Sequence, residues 1–222
     1  RPLNDAVIDG RIRGVVGVVG CNNPRVKHDD IHVRVTRELI ANGCLVVMTG
    51  CAAQSVAKAG LMLPEVAREI CPQGLWEVCE AVGMPPVLHA GSCVDNSRIL
   101  ISLTAMVHEG GLGDDICELP VAGCAPEWMS EKAISIGEYF VASGVYTVFG
   151  VKWPTMGSKN VTEYLFQKYN DLFKNTWDFE PDPEKMVGKI LSHIDSKREA
   201  LGISAKRERV LYDMAMRREL EI

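Results

Sequence analysis

The segment Gly14–Cys21 has the sequence GVVGVVGC. Its run Gly14–Gly20 is short and continuously apolar, which is typical of a β-strand buried on both faces. Further runs of this kind follow along the chain at Leu45–Gly50, Pro86–His89, Leu119–Gly123 and Tyr146–Val151. Because strands buried on both faces need helices above and below them, these runs favour a parallel sheet.

Helical segments fill the intervals between these runs. The predicted helices are Asp29–Asn42, Ala52–Leu63, Pro64–Val82, Asp95–His108 and Ser130–Ser143. Gly43 and Gly144 each follow a helix at the position where glycine often ends one. Strands that alternate with helices form right-handed βαβ units. We therefore predict that residues 1–155 form an α/β domain with a Rossmann-like parallel sheet of about five strands.

The pattern changes after Trp153-Pro154. Lys159–Asn175, Asp182–Leu201 and Lys206–Leu220 are predicted as helices with no strand between them. We expect residues 156–222 to be a helical C-terminal extension that packs on the sheet domain or on a partner subunit. The chain opens in a segment typical of the end of a helix, so we also expect it to be part of a longer protein.

Composition limits the class of protein. The chain has 222 residues and a formal net charge of −5, which argues against nucleic acid as its main partner. No apolar run approaches the roughly 20 residues of a membrane span, and no secretory signal opens the chain, so we expect a cytoplasmic protein. In such a protein, 8 cysteines indicate metal ligands or catalytic groups more than disulfides.

Glycine precedes cysteine at the ends of several predicted strands: Gly20-Cys21, Gly50-Cys51, Gly91-Ser92-Cys93 and Gly123-Cys124. Ligands bind beyond the carboxyl ends of parallel strands, and neighbouring strands lie about 4.8 Å apart, so these cysteines should converge. Thiolates are the usual ligands of iron–sulfur clusters. The pattern predicts a metal-cluster site. The alternative is burial as small apolar residues, which we expect for Cys44, Cys71, Cys79 and Cys117.

Two familiar site patterns are missing from the sequence. No CxxC pair is present, which excludes zinc-ribbon and ferredoxin spacings. GxGxxG is also absent, so we do not expect a bound dinucleotide despite the predicted sheet.

Other polar residues are weaker candidates. Lys132 follows the fourth strand at the start of a helix whose expected N-cap is Ser130, and near a cluster it could move protons or stabilise a bound carboxylate. A solvated surface lysine is the alternative. His28 and His32 have the i, i+4 spacing of a metal-binding pair, but we expect both to be exposed. His89 precedes Gly91 and is expected in the core or beside a metal ligand.

The chain resembles the nickel-dependent carbon monoxide dehydrogenases. The matching segments are GVVGCNNPR (17–25), TGCAAQSVAKAG (49–60), VLHAGSCVDNSRI (87–99) and APEWMSEKAISIG (125–137). The resemblance implies that CO and water are converted reversibly into CO₂, two protons and two electrons at a NiFe₄S₄ cluster. It also implies that Cys21 and Cys51 bind iron, that Cys93 binds nickel, and that Lys132 assists as acid, base or charge partner. Cys124 is not a usual ligand in that family.

The same resemblance implies that this chain is the C-terminal portion of a catalytic subunit. The remaining cluster ligands, one histidine and two cysteines, would lie upstream, as would further 4Fe-4S clusters. A ferredoxin-type electron acceptor, an anaerobic setting and a homodimer in the full-length form are implied, while an acetyl-CoA synthase partner stays open. The isolated fragment is expected to be inactive. The runner-up is the hybrid cluster protein, whose cluster lacks nickel, and a scaffold fragment without a cluster is a further alternative.

Overall fold

The computed structural model describes residues 1–204 and 214–220. It contains a six-stranded sheet in the order β3-β2-β1-β4-β5-β6, and every neighbouring pair of strands is parallel. The strands are β1 Gly14–Val18, β2 Cys44–Thr49, β3 Val87–Gly91, β4 Val121–Ala125, β5 Thr147–Phe149 and β6 Trp177–Phe179. This order is that of the Rossmann fold, so the predicted fold class is confirmed.

Helices occupy the connections between strands. They are α1 Pro2–Ile8, α2 Asp30–Ala41, α3 Gly50–Lys58, α4 Val66–Ile70, α5 Gln73–Val82, α6 Ser97–Glu109, α7 Glu131–Ala142, α8 Lys159–Glu163, α9 Tyr169–Phe173, α10 Pro183–Ala200 and α11 Met214–Leu220. Short 3₁₀ turns lie at Cys93–Asp95, Ile116–Glu118 and Pro154–Gly157, and a π-helical turn lies at Tyr164–Lys168. Each described helix is too short or too polar to cross a lipid bilayer.

One predicted helix, Pro64–Val82, is interrupted in the structure. Cys71 has extended backbone angles (φ −78°, ψ 148°), and Pro72 is the N-cap of α5. Proline disfavours helical geometry in the residue before it, so the Cys71-Pro72 pair ends α4 and lets α5 begin in a new direction.

The tail is not purely helical, so the prediction of a segment without strands is wrong. Trp177 and Phe179 of β6 pair with Thr147 and Phe149 of β5. Three residues are too short a run to show the alternation or continuous apolarity that marks a strand in sequence. The predicted boundary at residue 155 stays a prediction, and the predicted helix Lys206–Leu220 lies partly outside the described residues.

Helix α10 packs on the sheet domain. Ile190 and Ile194 are fully buried in the same core as the central strands. Arg198, only 8% exposed, donates hydrogen bonds from Nη1 to the carbonyl of Val7 (2.7 Å) and from Nη2 to that of Ile203 (3.0 Å). Of the two locations expected for the tail, the structure therefore shows α10 on the sheet.

A second, aromatic core lies beside β5 and β6. It contains Trp128, Phe149, Trp153, Tyr169 and Trp177. The rings of Trp153 and Trp177 meet edge to face, with centroids 4.1 Å apart. Such clusters bury large apolar areas, so this core fixes the last two strands against α7.

Candidate metal centre

A cavity opens at the carboxyl ends of β1 and β4, the point where the strand order reverses. The chain runs outward from β1 to β2 and β3 on one side, and from β4 to β5 and β6 on the other. Gly17 and Gly123 are register partners on these two strands and both line the cavity. The cavity has a volume of about 200 Å³, and Cys21, Cys93 and Lys132 also line it. Sheets of this order usually bind ligands at this place.

The loop after β1 is fixed from both sides. The Cys21 amide donates to the carbonyl of Glu127 at 2.9 Å, and the Cys21 carbonyl lies 2.7 Å from Nε2 of His32. The side chain of Asn23 donates to the carbonyl of Trp128 at 2.8 Å. Cys21 itself is partly buried at the cavity wall. Its position is thus set by the backbone of the β4–α7 loop and by α2.

Cys51 and Cys93 are both exposed and lie on neighbouring segments. Cys51 is the second residue of α3, and Cys93 opens a 3₁₀ turn closed by a capping box between Ser92 and Asp95. A Cβ on Gly50, whose φ is +60°, would lie 3.3 Å from the Cβ of Cys93. A glycine at position 50 therefore lets the two cysteine segments approach closely.

A buried hydrogen bond joins these two segments as well. Thr49 Oγ1 donates to Asn96 Oδ1, and both side chains are almost inaccessible to solvent. Asn96 also lines the cavity, whereas Cys51 does not belong to the described residues that line it. The structure thus brings Cys21, Cys93 and Lys132 to one cavity and attaches the segment of Cys51 at its side.

Cys124 does not end a strand, contrary to the strand-end interpretation. Strand β4 continues to Ala125, so Cys124 lies inside it and is fully buried. Burial raises the pKa of the Cys124 thiol, which keeps it protonated. Cys124 lines the cavity from inside β4, and its role as a neighbour of the site stays a prediction.

The remaining cysteines are buried, as predicted. Burial raises the pKa of Cys44 and of Cys79 to about 12 and that of Cys71 to about 11. The pKa of Cys117 is also raised by burial. All eight cysteines of the chain are free. The exposed or half-buried thiols are therefore Cys21, Cys51 and Cys93.

The donor set suits a cluster better than a single ion. Within the described part of the chain, no group of three or more His, Cys, Asp or Glu side chains is placed to hold one metal ion. In a sulfide-bridged cluster each metal atom needs only one thiolate from the protein, so separated cysteines fit it. Cys21, Cys51 and Cys93 each offer one exposed or half-buried thiol of this kind.

Lys132 lies in the first turn of α7, after the N-cap Ser130. Its side chain is exposed and lines the cavity. Further along α7, Gly137 packs against the aromatic core: a Cβ there would lie 2.3 Å from Cζ of Phe149. Close packing of α7 on the aromatic core thus carries Lys132 to the cavity.

The histidine expectations need correction. His28 is exposed as expected, but His32 is fully buried. It falls on the inward face of α2 with Val35, Thr36 and Leu39, at the helical spacing of three, four and seven residues. Burial lowers the pKa of His32.

Of the two locations expected for His89, the structure excludes the core, and a place beside a metal ligand stays a prediction. Its side chain is exposed, and its Nδ1 accepts a hydrogen bond from the amide of Gly91 at 3.0 Å.

For two acidic residues near the cysteine loops, the sequence led to no predicted role. Glu127 has no exposed surface; its Oε2 accepts from the amide of Asn23 at 3.2 Å. Asp29, the N-cap of α2, interacts with Lys58 and Ser55, whose hydrogen bonds lower its pKa to about 2. A carboxylate placed directly after an apolar strand, as in APEW (125–128), was the available signal for Glu127.

The sequence pattern of the Prismane/CO dehydrogenase family matches residues 3–184. The chain belongs to this family. It is 51% identical over 203 residues to carbon monoxide dehydrogenase 1 of Methanosarcina mazei, covering 91% of this chain and 32% of the relative. It is 38% identical over 211 residues to the carbon monoxide dehydrogenase/acetyl-CoA synthase subunit beta of Moorella thermoacetica, covering 91% and 31%.

Solved structures of the family agree with this assignment. A nickel-free carbon monoxide dehydrogenase from Thermococcus sp. AM4 superimposes with a TM-score of 0.87 at 51% identity, covering 91% of this chain and 32% of that one. The chain therefore spans about a third of the length of the carbon monoxide dehydrogenases it matches. The resemblance found in the sequence motifs is confirmed.

Proposed function

We propose that this chain is the part of a carbon monoxide dehydrogenase that supplies Cys21, Cys51, Cys93 and Lys132 to a NiFe₄S₄ cluster. The reaction is CO plus water to CO₂, two protons and two electrons, in either direction. One observation carries the proposal: a cavity at the switch point of the sheet is lined by Cys21, Cys93 and Lys132 in a member of this family. The cluster, when bound, would accept the two electrons and provide the metals at which CO is oxidised.

The cysteines would have distinct tasks. Cys21 and Cys51, which follow the neighbouring strands β1 and β2, would bind iron, and Cys93, after the outer strand β3, would bind nickel. The capping box around Cys93 fixes its backbone while leaving its thiol exposed. A thiol presented in this way can bind a metal without rearrangement of the loop.

Lys132 would act on the substrate rather than on the metals. Its ammonium group stands on a flexible stem at the cavity wall. There it can stabilise the negative charge that develops on oxygen as the oxygen of water joins the carbon of CO. It can also take up or release a proton at Nζ as the reaction proceeds.

The rest of the proposed assembly lies outside this chain. One histidine and two cysteines would complete the cluster, further 4Fe-4S clusters would carry electrons to a ferredoxin-type acceptor, and the full-length anaerobic, cytoplasmic enzyme would be a homodimer. An acetyl-CoA synthase is a possible additional partner, and the Moorella relative is named for such a complex. By itself this chain would be inactive.

Metal analysis of the intact, anaerobically purified protein tests the proposal. We expect nickel together with a large excess of iron, and CO-dependent reduction of an electron acceptor. Iron without nickel would contradict the proposal and favour the hybrid cluster protein. A protein with neither metal would favour the scaffold alternative.

A further inference from the structure

Two polar side chains at the start of α2 reach the segments of different cysteines. His32 contacts the loop that follows β1, and Asp29 contacts both that loop and α3. Neither residue belongs to the cavity lining. Each has a feature that the start of a helix does not require.

His32 is buried and forms a hydrogen bond with the loop that carries Cys21. Its Nε2 lies 2.7 Å from the carbonyl oxygen of Cys21, which can only accept, so Nε2 carries the proton. Its Nδ1 is buried and has no hydrogen-bond partner among the described residues. An apolar side chain would fill the same space without an unpaired buried nitrogen. What the imidazole adds is therefore the bond to Cys21.

Asp29 joins the two cysteine segments. Its backbone is left-handed (φ +66°), a conformation that Asp and Asn tolerate better than most residues. Its Oδ1 accepts from Asn22 Nδ2 at 3.2 Å and from Ser55 Oγ at 2.5 Å, and its Oδ2 pairs with Lys58. Asn22 follows Cys21 directly, whereas Ser55 and Lys58 belong to α3. One carboxylate therefore links the loop after β1 to the helix whose first turn carries the next cysteine.

We propose that Asp29 and His32, named here the α2 clamp, are positioning residues that fix the spacing between Cys21 and Cys51. The clamp acts through the backbone of Cys21 and through α3. Cys93 is held by its own capping box and is not contacted by the clamp. The inference rests on the proposed function only where it concerns metals, because the spacing of the thiols is a property of the chain.

The test is the alkylation rate of each cysteine by iodoacetamide in the intact protein prepared without metals, followed by peptide mass spectrometry. Asp29→Gly removes the carboxylate and keeps the left-handed backbone, and His32→Leu removes the donor. In both variants we expect Cys21 to react about tenfold faster relative to Cys93, because its loop opens more often. His32→Gln, which keeps a donor, should restore most of the protection.

Matched controls lie on the same helix. Thr36→Val changes a buried residue one turn further along, whose hydroxyl donates to the sulfur of Met48 at 3.8 Å. Asp30→Asn changes the neighbouring carboxylate, which pairs with Lys27 and Arg34 at the surface. Both should leave the Cys21 rate unchanged.

Wild-type Cys21 rates in both Asp29→Gly and His32→Leu would overturn the proposal. If the buried Cys44 also reacts in His32→Leu, that variant has unfolded and the Asp29→Gly rate decides. In metal-loaded protein, Asp29→Gly should lose iron to a chelator several-fold faster than Asp30→Asn; equal loss would contradict the clamp. An enzyme that contains no nickel would contradict the proposed function and leave the thiol rates of metal-free protein valid as the test of the clamp.

Discussion

The two walls of the cavity are held by different forces. On the side of β1, β2 and β3, hydrogen bonds fix the backbone beside each cysteine, as at His32 and Cys21. On the side of β4, β5 and β6, Lys132 stands on a helix held by packing of Gly137 against Phe149 and Trp177. Hydrogen bonds are directional, so they define the position of a loop backbone within narrow limits. Packing fixes the helix but leaves the long side chain of Lys132 free to change rotamer. We therefore expect the side with Cys21, Cys51 and Cys93, named here the thiol wall, to move less than the side with Lys132, the lysine wall.

On the thiol wall, removal of one sulfur atom should abolish nickel binding. Cys93→Ala is expected to lose all bound nickel while most of the iron remains, because the neighbouring cysteines keep their own hydrogen-bonded positions. Elemental analysis of the purified intact protein measures both metals. Cys117→Ala, a buried cysteine away from the cavity lining, is the control and should retain nickel. A Cys93→Ala protein with full nickel would reject the assigned ligand.

On the lysine wall, a substitution should lower the rate of CO oxidation and leave the metal content unchanged. Lys132→Ala is expected to slow CO oxidation by about 10²–10⁴-fold with nickel and iron unchanged, because proton transfer and charge stabilisation are lost. Lys132→Arg keeps the charge and separates these two effects. The exposed Lys152, changed to Ala, is the control. Unchanged turnover in Lys132→Ala would make this lysine a bystander.

The packing under the lysine wall can be tested by adding one methyl group. In Gly137→Ala the new Cβ would lie 2.3 Å from Phe149 and 2.7 Å from Trp177, so we expect a loss of about 3 kcal/mol in the free energy of unfolding. Denaturant unfolding measures it. Gly188→Ala in α10 is the control, since nothing lies within 4 Å of its added Cβ. It should be neutral or stabilise the protein by up to about 1 kcal/mol. Equal midpoints for both variants would show that α7 is not held by this contact.

A smaller expected effect is the pH dependence of stability that arises from His193, beside Tyr146. His193 stacks on Tyr146 with ring centroids 4.5 Å apart, and burial, with the charge of Lys197, lowers its pKa from 6.5 to about 4. As pH falls through this window the unfolded chain binds the proton first, so stability present above pH 6.5 is lost toward pH 4. In His193→Gln, the loss in free energy of unfolding between pH 6.5 and pH 4 should be smaller than in the wild type by about 1–2 kcal/mol.

The measurement for His193 is denaturant unfolding at a series of pH values. Ser192→Ala, the neighbouring exposed residue, is the control and should follow the wild-type curve. A His193→Gln curve as steep as that of the wild type would show that this imidazole does not titrate differently in the folded and unfolded states.

Sequence was sufficient for the strands with long apolar runs and insufficient where tertiary contacts decide. The run at Gly14–Gly20 predicts its strand because burial on both faces leaves a continuous pattern. The three residues of β6 leave none, and their pairing depends on β5. The glycine–cysteine pattern located Cys21 correctly at a strand end. It misplaced Cys124, because hydrogen bonding to neighbours continues β4 to Ala125.

Residues behind the cysteines were the hardest to foresee. The inward orientation of His32 depends on where α2 begins, and a one-residue change in that start turns the side chain by about 100°. Glu127 acquires its role only because the β4–α7 loop lies against the loop after β1. Helical spacing places His32 on the buried face of α2, but its contact with Cys21, like that of Glu127 with Asn23, depends on how the loops pack in the folded chain.

The central position of β1 also sets an order of assembly. Gly14 pairs with Cys44 of β2 about thirty residues later, but Val15 pairs with Val121 of β4 about a hundred residues later. Closing the longer loop costs more chain entropy and, during synthesis, must wait for the later strand to leave the ribosome. The strands that carry the thiols can therefore form while the opposite wall is still missing. A nascent chain would then present the thiols of Cys21, Cys51 and Cys93 on an open face until β4 docks.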